Sequence, residues 1–269
     1  MISDNIKLVD AYCEIVDARI PYSSRNPDLP EMTGGKPGMI ILNRADQADP
    51  HATKQWHEHF KALGSFVLET DSKSGRGVSA FPAALRSMLA DRIAHYAKRG
   101  QVGRKLRIMV LGVPNVGKSS FINRVAKRKA AEASDRPGVT RGKQWISIDD
   151  SLELLDTPGI LWHRFENQTV AENLAFTGAI RDQVMDTETL AANLMSRLKE
   201  HYPQRLVERY KLDLSTDAVG FELLAQAAKN RGFLISGGEL DLSRMAIILL
   251  DEFRGGKLGT ITLEHVSTR

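Results

Sequence analysis

Gly112-Val113-Pro114-Asn115-Val116-Gly117-Lys118-Ser119 fits the pattern G-x-x-x-x-G-K-[ST], and its surroundings decide what the pattern means. An apolar run, Leu106 to Leu111, precedes it, and a helical run, Ser120 to Ala131, follows. That is the strand–loop–helix context a phosphate-binding loop requires. Glycines let backbone N–H groups turn inward around phosphate oxygens, and the helix N-terminus adds the positive end of its dipole. Lys118 is expected to reach the β- and γ-phosphates, and the Ser119 hydroxyl to ligate Mg²⁺. Pro114, Asn115, Val116, Gly117 and Ser120 complete the expected phosphate cradle. A glycine turn ahead of an ordinary helix is the plain alternative, and it needs neither the lysine nor the hydroxyl. The chain is therefore expected to bind a nucleoside triphosphate.

On the N-terminal side of this loop the chain alternates apolar runs with helical spacing. Tyr12 to Val16, Met39 to Leu42 and Phe66 to Leu68 are expected strands, ending at Asp17, Asn43 and Ser72. Residues 52–63 and 78–97 have helical periodicity. Beyond the loop, Gln144 to Ile148 and Leu152 to Leu155 form a hairpin-like pair that runs into Asp156-Thr157-Pro158-Gly159. Such alternation predicts an α/β fold with a doubly wound, mostly parallel sheet. The polar strand ends can then converge on one crevice at the carboxyl edge. From about Phe165 the pattern turns helical: 170–185, 187–201, 217–230 and 242–253 show three- and four-residue apolar spacing, Asp241 is a candidate cap, and Thr260 to Leu263 reads as a short strand. Two domains are expected, 1–163 and a smaller all-helical 164–269.

Composition bounds the function classes. The 269 residues are 42% hydrophobic and 26% charged, an ordinary globular mixture. The longest aliphatic run, Met245 to Leu250, is far short of a membrane span, and the opening Met1-Ile2-Ser3-Asp4-Asn5 lacks the pattern of a secretory leader. The one cysteine, Cys13, excludes an intrachain disulfide and suits a reducing compartment. A soluble, cytoplasmic protein is expected. The net charge of +4 conceals an asymmetry: residues 92–143 carry fourteen Lys/Arg against two acids, whereas residues 165–269 carry twelve against fifteen. That basic excess, including Lys98, Arg99, Arg104, Lys105 and Lys127-Arg128-Lys129, is either a solvated face or a contact for a polyanion such as RNA.

Two further motifs narrow the nucleotide. Asp156 lies 44 residues after Gly112, where a carboxylate can join the Mg²⁺ shell and the Gly159 N–H can meet a γ-phosphate. Asn43-Arg44-Ala45-Asp46 has the form N-R-A-D, in which an aspartate can accept from N1–H and the exocyclic amine of guanine; adenine offers no such donor pair. Arg44 stands where guanine motifs carry lysine, and its stem and guanidinium can still cover a base face.

With these residues the sequence resembles the circularly permuted GTPases, and among them the bacterial factors of large-subunit assembly. The resemblance spans nearly the whole chain. It includes Val16-Asp17-Ala18-Arg19-Ile20-Pro21, Ser23-Ser24-Arg25-Asn26-Pro27, Asp135 to Thr140, Asp156 to Trp162 and Ser236-Gly237-Gly238. Motif order carries it: N-R-A-D and Asp71-Ser72-Lys73, the base-supporting triplet, precede the phosphate loop, Thr140 and Asp156. The resemblance implies a GTP/GDP site with Mg²⁺ held by Ser119, Thr140 and Asp156, and with Lys118, Thr140 and Gly159 acting on the reacting phosphate. It implies K⁺ at Asn115 in place of an arginine finger. It also implies a monomer that binds the large ribosomal subunit with GTP and leaves after hydrolysis, with no membrane partner.

Water positioning departs from expectation. Ile160 holds the place of the glutamine that signalling GTPases use, and no F-P-G-H-M-type segment precedes the first strand. His163 is the nearest substitute; an exposed loop histidine is the plain alternative. Slow intrinsic turnover, stimulated by ribosomal particles, is expected. Rival expectations are an organellar counterpart, a GTP-dependent RNA-binding scaffold with negligible hydrolysis, and a small-molecule kinase, the last disfavoured by the acidic helical region.

Overall fold

The computed structural model describes residues 5–126, 144–159, 161, 168–180 and 185–266. The chain divides into two compact units, Met1–His163 with Glu264–Arg269, and Arg164–Leu263.

The first unit is built on a six-stranded sheet in the order β3-β2-β1-β4-β6-β5. Its strands are β1 Ala11–Asp17, β2 Gly38–Asn43, β3 Phe66–Glu69, β4 Leu106–Gly112, β5 Gln144–Asp149 and β6 Leu152–Asp156. All pairings are parallel except β5 with β6, the expected hairpin. Central parallel strands are covered on both faces, which explains why β1, β2 and β4 are near-continuous apolar runs. Cys13 is fully buried in β1, so its thiol is a packing group, and burial pushes its pKa up.

Helix α1, Leu29–Met32, is a single turn; α2 is Pro50–Ala62, α3 Phe81–Met88, α4 Ala90–Lys98 and α5 Lys118–Ala126. Asp49 caps α2, accepting from the N–H groups of His51 and Ala52. Trp56 and Phe60 of α2 pack on Val16, Ile40 and Leu42, while Ile6, Val9 and Leu29 pack on Met109, Leu111 and Leu155. Helices α3 and α5 meet edge to face through Phe81 and Phe121, with ring centroids 4.9 Å apart. The helix expected over 78–97 is divided: a 3₁₀ turn at Val78–Ala80 leads into α3, and Leu89 (φ −103°, ψ 15°) separates α3 from α4. Apolar spacing continues through Leu89, so periodicity alone does not mark the break.

The C-terminal residues return to this unit. Glu264 Oε2 accepts from the backbone N–H groups of Tyr22 at 2.7 Å and Ser23 at 3.1 Å, and the Ser23 hydroxyl donates to the same carboxylate. Trp56 Nε1 donates to the Glu264 carbonyl at 2.9 Å, and Val266 packs on the Trp56 cluster.

The second unit is helical: α6 Gln168–Phe176, α7 Thr187–His201, α8 Pro203–Tyr210, α9 Phe221–Asn230 and α10 Leu242–Arg254. Helix α7 is its axis, burying Leu190, Ala191, Leu194, Met195 and Leu198 among the other helices. Asp241 caps α10, accepting from Arg244 N at 2.9 Å. Helix α8 was not expected, although Pro203 at its first turn and Leu206 and Tyr210 four residues apart are its signals. The short strand expected at Thr260 to Leu263 is absent; the Tyr202 hydroxyl instead bonds both the carbonyl and the N–H of Thr262, each at 3.0 Å. A buried carboxylate, Glu252 of α10, is joined to α8 and to the turn after α9. It accepts from Arg209 at 3.0 and 2.5 Å, from the Tyr210 hydroxyl at 2.7 Å and from Arg231 at 3.4 Å.

Candidate nucleotide site

Strand order reverses between β1 and β4, and crevices at such reversals are where open α/β sheets take ligands. The expected loops all leave the carboxyl edge there: Asn43–Asp46 after β2, Asp71–Lys73 after β3, Gly112–Ser119 after β4 and Asp156–Gly159 after β6.

Asn43 joins three of these points. Its Nδ2 donates to the Val116 carbonyl at 2.9 Å. Its Oδ1 accepts from the Thr70 hydroxyl at 3.1 Å, the Ser72 N–H at 3.2 Å and the Ser72 hydroxyl at 2.7 Å. Gly117, at φ +94°, passes so close that a Cβ would lie 2.4 Å from Asn43 Nδ2, so only glycine fits. Arg44 makes a second crossing, donating from Nη2 to the Asn115 carbonyl at 2.8 Å, with Nε 3.7 Å from Asp17 Oδ2. Both Arg44 (φ 59°) and Asn115 (φ 60°) are left-handed, a conformation costing about 1–2 kcal/mol for a residue with a Cβ. Surrounding contacts must hold them there.

Burial pushes the Asp17 carboxyl upward, but Arg19 and Arg44 outweigh it and hold it below the usual carboxylate range. Asp46 is exposed at the crevice, and Ala45 is fixed by its N–H to the Thr70 carbonyl at 3.1 Å. Asp71 commits its carboxylate to its own turn, accepting from the N–H groups of Lys73 at 2.8 Å and Ser74 at 3.1 Å. Arg124, on the helix that follows the phosphate loop, donates to the Ser72 carbonyl at 3.4 Å and to that of Lys73. Lys73 itself is exposed.

On the phosphate side, Lys118 is buried and ion-paired with Asp156. Ser119 and Ser120 are exposed in the first turn of α5, and Thr157 is anchored through its hydroxyl to the Val110 carbonyl at 2.7 Å. Gly159 passes Pro114 closely: an added Cβ would lie 3.1 Å from Pro114 Cα. Thr140, Ile160, His163 and the Lys127–Lys129 triplet lie outside the described residues. Four basic residues of 92–107 have their partners outside these loops. Arg92 and Arg104 approach Asp10 and the Tyr96 ring, while Lys105 and Arg107 pair with Glu153.

Thr70 and Arg124 are contributors that motif reading does not reach, and Asp17 and Arg19 stand in the Val16–Pro21 stretch of the resemblance without a role assigned by it. A local signal for Asp17 is that it ends an apolar strand.

Residues 107–209 match the family model described as 50S ribosome-binding GTPase. The chain is 42% identical to Ribosome biogenesis GTPase A of Bacillus cereus, across 98% of this chain and 88% of that protein. The chain belongs to the ribosome biogenesis GTPase A family. The Thermotoga maritima member is 29% identical over 98% of this chain and 89% of its own length. Mitochondrial ribosome-associated GTPase 1 of Mus musculus is 31% identical over 97% and 85%. Among solved structures, GDP-bound TM YlqF superposes with a TM-score of 0.74 at 25% identity over 99% of both chains. GNP-bound YlqF from T. maritima gives 0.67 at 26% identity over 98% and 96%. Family membership makes this a guanine-nucleotide-binding GTP hydrolase with a P-loop fold. Among the described residues, no helix is long and apolar enough to cross a membrane.

Proposed function

We propose that the chain is a circularly permuted GTPase that binds the maturing large ribosomal subunit with GTP, helps it mature, and leaves after hydrolysis. The observation that carries this is the Asn43 cross-link: it ties a guanine-type motif at 43–46 to a phosphate loop 73 residues later, so motifs in permuted order share one crevice.

Asp46 selects guanine, Arg44 and Lys73 flank the base, and Ala45, Asp71 and Ser72 build its seat. The backbone of Pro114 to Ser120, with Lys118, holds the phosphates. Lys118 exchanges Asp156 for phosphate oxygens when a triphosphate enters, and the released carboxylate, with the Ser119 hydroxyl, presents the hard oxygen donors that suit Mg²⁺. Thr140 would complete that set, and the bound ion would neutralise charge building on the β- and γ-phosphates. Asn115 is the residue to which K⁺ is assigned. Gly159 supplies an N–H toward the γ-phosphate, and because the chain continues from there into the helical unit, that contact couples nucleotide state to the ribosome-facing parts. The surplus basic residues of 92–143 supply rRNA contacts, and the site of action is cytoplasmic.

The test is co-sedimentation of the purified monomeric chain with ribosomal subunits under GTP, GDP and no nucleotide, paired with single-turnover hydrolysis with and without particles. Large-subunit binding that follows GTP, with turnover accelerated by particles, is the expected result. Equal sedimentation in all three states would defeat the release cycle. GTP-dependent binding without turnover would leave a scaffold.

A further inference from the structure

Strand β1 lies between the strand that delivers Asn43–Asp46 and the strand that delivers the phosphate loop, and it ends on Asp17. Asp17 belongs to the Val16–Pro21 stretch of the resemblance but to neither the N-R-A-D motif nor the phosphate loop, and its side chain is almost wholly buried at the edge of the crevice. Arg19 grips it through two parallel bonds, Nε to Oδ1 at 2.9 Å and Nη2 to Oδ2 at 2.7 Å, with a third from the Arg19 N–H at 3.0 Å. Arg19 is itself only 1% exposed. The same Oδ2 faces Arg44 Nε at 3.7 Å, while Arg44 Nη2 donates to the Asn115 carbonyl.

We propose that Asp17, held by Arg19, is a positioning residue that aims the Arg44 fork at the phosphate loop, so that the guanine motif and the Asn115 turn are held as one body. A guanidinium is planar, so fixing the direction of Nε also fixes that of Nη2; a lysine ammonium has no such geometry. The buried anion attracts Arg44 with little solvent screening, and Arg19 keeps that anion from turning away. The clip joins two residues that are both left-handed, a backbone state that persists only where surroundings over-determine it. Asp17 therefore bears on nucleotide affinity without touching nucleotide. The inference rests on this crevice taking guanine nucleotide.

A double-mutant cycle on the full chain decides it, read as the equilibrium dissociation constant of a fluorescent GTP analogue, with thermal melting checked for each variant. Asp17→Asn is expected to weaken binding on the order of tenfold, the scale of one charge-assisted contact. In an Arg44→Ala background the same change should cost no more than about twofold, because the residue being aimed is gone. Equal losses in both backgrounds, or an Asp17→Asn chain with wild-type affinity, would overturn the assignment. If Asp17→Asn melts early because the buried Arg19 loses this carboxylate, Asp17→Asn with Arg19→Gln removes both charges and carries the same cycle. Wild-type affinity in that paired variant would show that Asp17 only balanced Arg19, and would equally overturn the proposal. A wild-type chain that binds no GTP sinks the nucleotide site itself, whereas tight binding with additive losses sinks only the positioning role.

Discussion

The Asn43, Arg44 and Arg124 contacts of the nucleotide crevice and the Glu252 cluster of the helical unit both tie polar side chains across the sequence, but to different kinds of partner. In the crevice, side chains reach across the sequence to backbone carbonyls: Asn43 to Val116 over 73 residues, Arg44 to Asn115 over 71, Arg124 to Lys73 over 51. In the helical unit, Glu252 meets side chains, those of Arg209, Tyr210 and Arg231. A bond to a backbone carbonyl fixes the path of a loop; a bond between side chains fixes how helices pack. The first network should therefore govern affinity and the second melting.

The largest effect that would sharpen this contrast is at Lys118. Lys118→Ala removes charge-assisted bonds to two phosphates, each worth about 1.5–3 kcal/mol, so GTP affinity should fall more than about a hundredfold. Because the change also takes the Lys118 ammonium from Asp156, a melt must accompany the titration, and a stable variant that still binds GTP normally would break the assignment. Next comes Asp46→Asn, expected to cost about 1–3 kcal/mol of GTP binding, the scale of one bidentate base contact. It should improve binding of xanthosine triphosphate, and competition between the two nucleotides measures both.

In the other network, Glu252→Gln should lower stability by about 1–2 kcal/mol, through loss of charge on hydrogen bonds to partners that are partly exposed. GTP affinity should not change; if it falls with stability, the two networks are not separable. The smallest effect is its pH dependence. Burial pushes the Glu252 carboxyl up, but bonds from Arg209 and Tyr210 and the charge of Arg231 outweigh this and set it below 4.5. A folded-state value lower than the unfolded one gives stability that is complete above the unfolded value and lost as pH falls through the folded one. Acid melts below pH 4.5 should be steeper for wild type than for Glu252→Gln.

The same contrast explains what was legible in the sequence. Parallel strands buried on both faces are apolar runs, so β1, β2 and β4 stand where those runs predict them, and the phosphate loop and N-R-A-D motif are contiguous strings with fixed chemistry. Helix–helix spacing placed α7 and α10 closely. What escaped depends on partners distant in sequence. The apolar spacing of 78–97 runs straight through Leu89, and Tyr202 satisfies Thr262 without any strand. Arg124 belongs to no such string, and the string that holds Asp17 and Arg19 does not say what they touch: their roles come from the Arg19–Asp17 pairing and from Arg44, which the sheet brings near. Asp71 adds a detail that no motif gives: its carboxylate shapes the turn that carries Ser72 and Lys73.

Glu264 gives the chain an unusual grammar. Because its carboxylate caps the N–H groups of Tyr22 and Ser23, and its carbonyl satisfies Trp56, the helical unit is a parenthesis opened after His163 and closed before Glu264. A stop codon after His163 would therefore not yield an intact first unit: it would strip the cap from the Tyr22–Ser23 turn and leave the Trp56 indole without that acceptor. The helices could instead be excised and the two ends rejoined by a short linker, keeping the last residues in place.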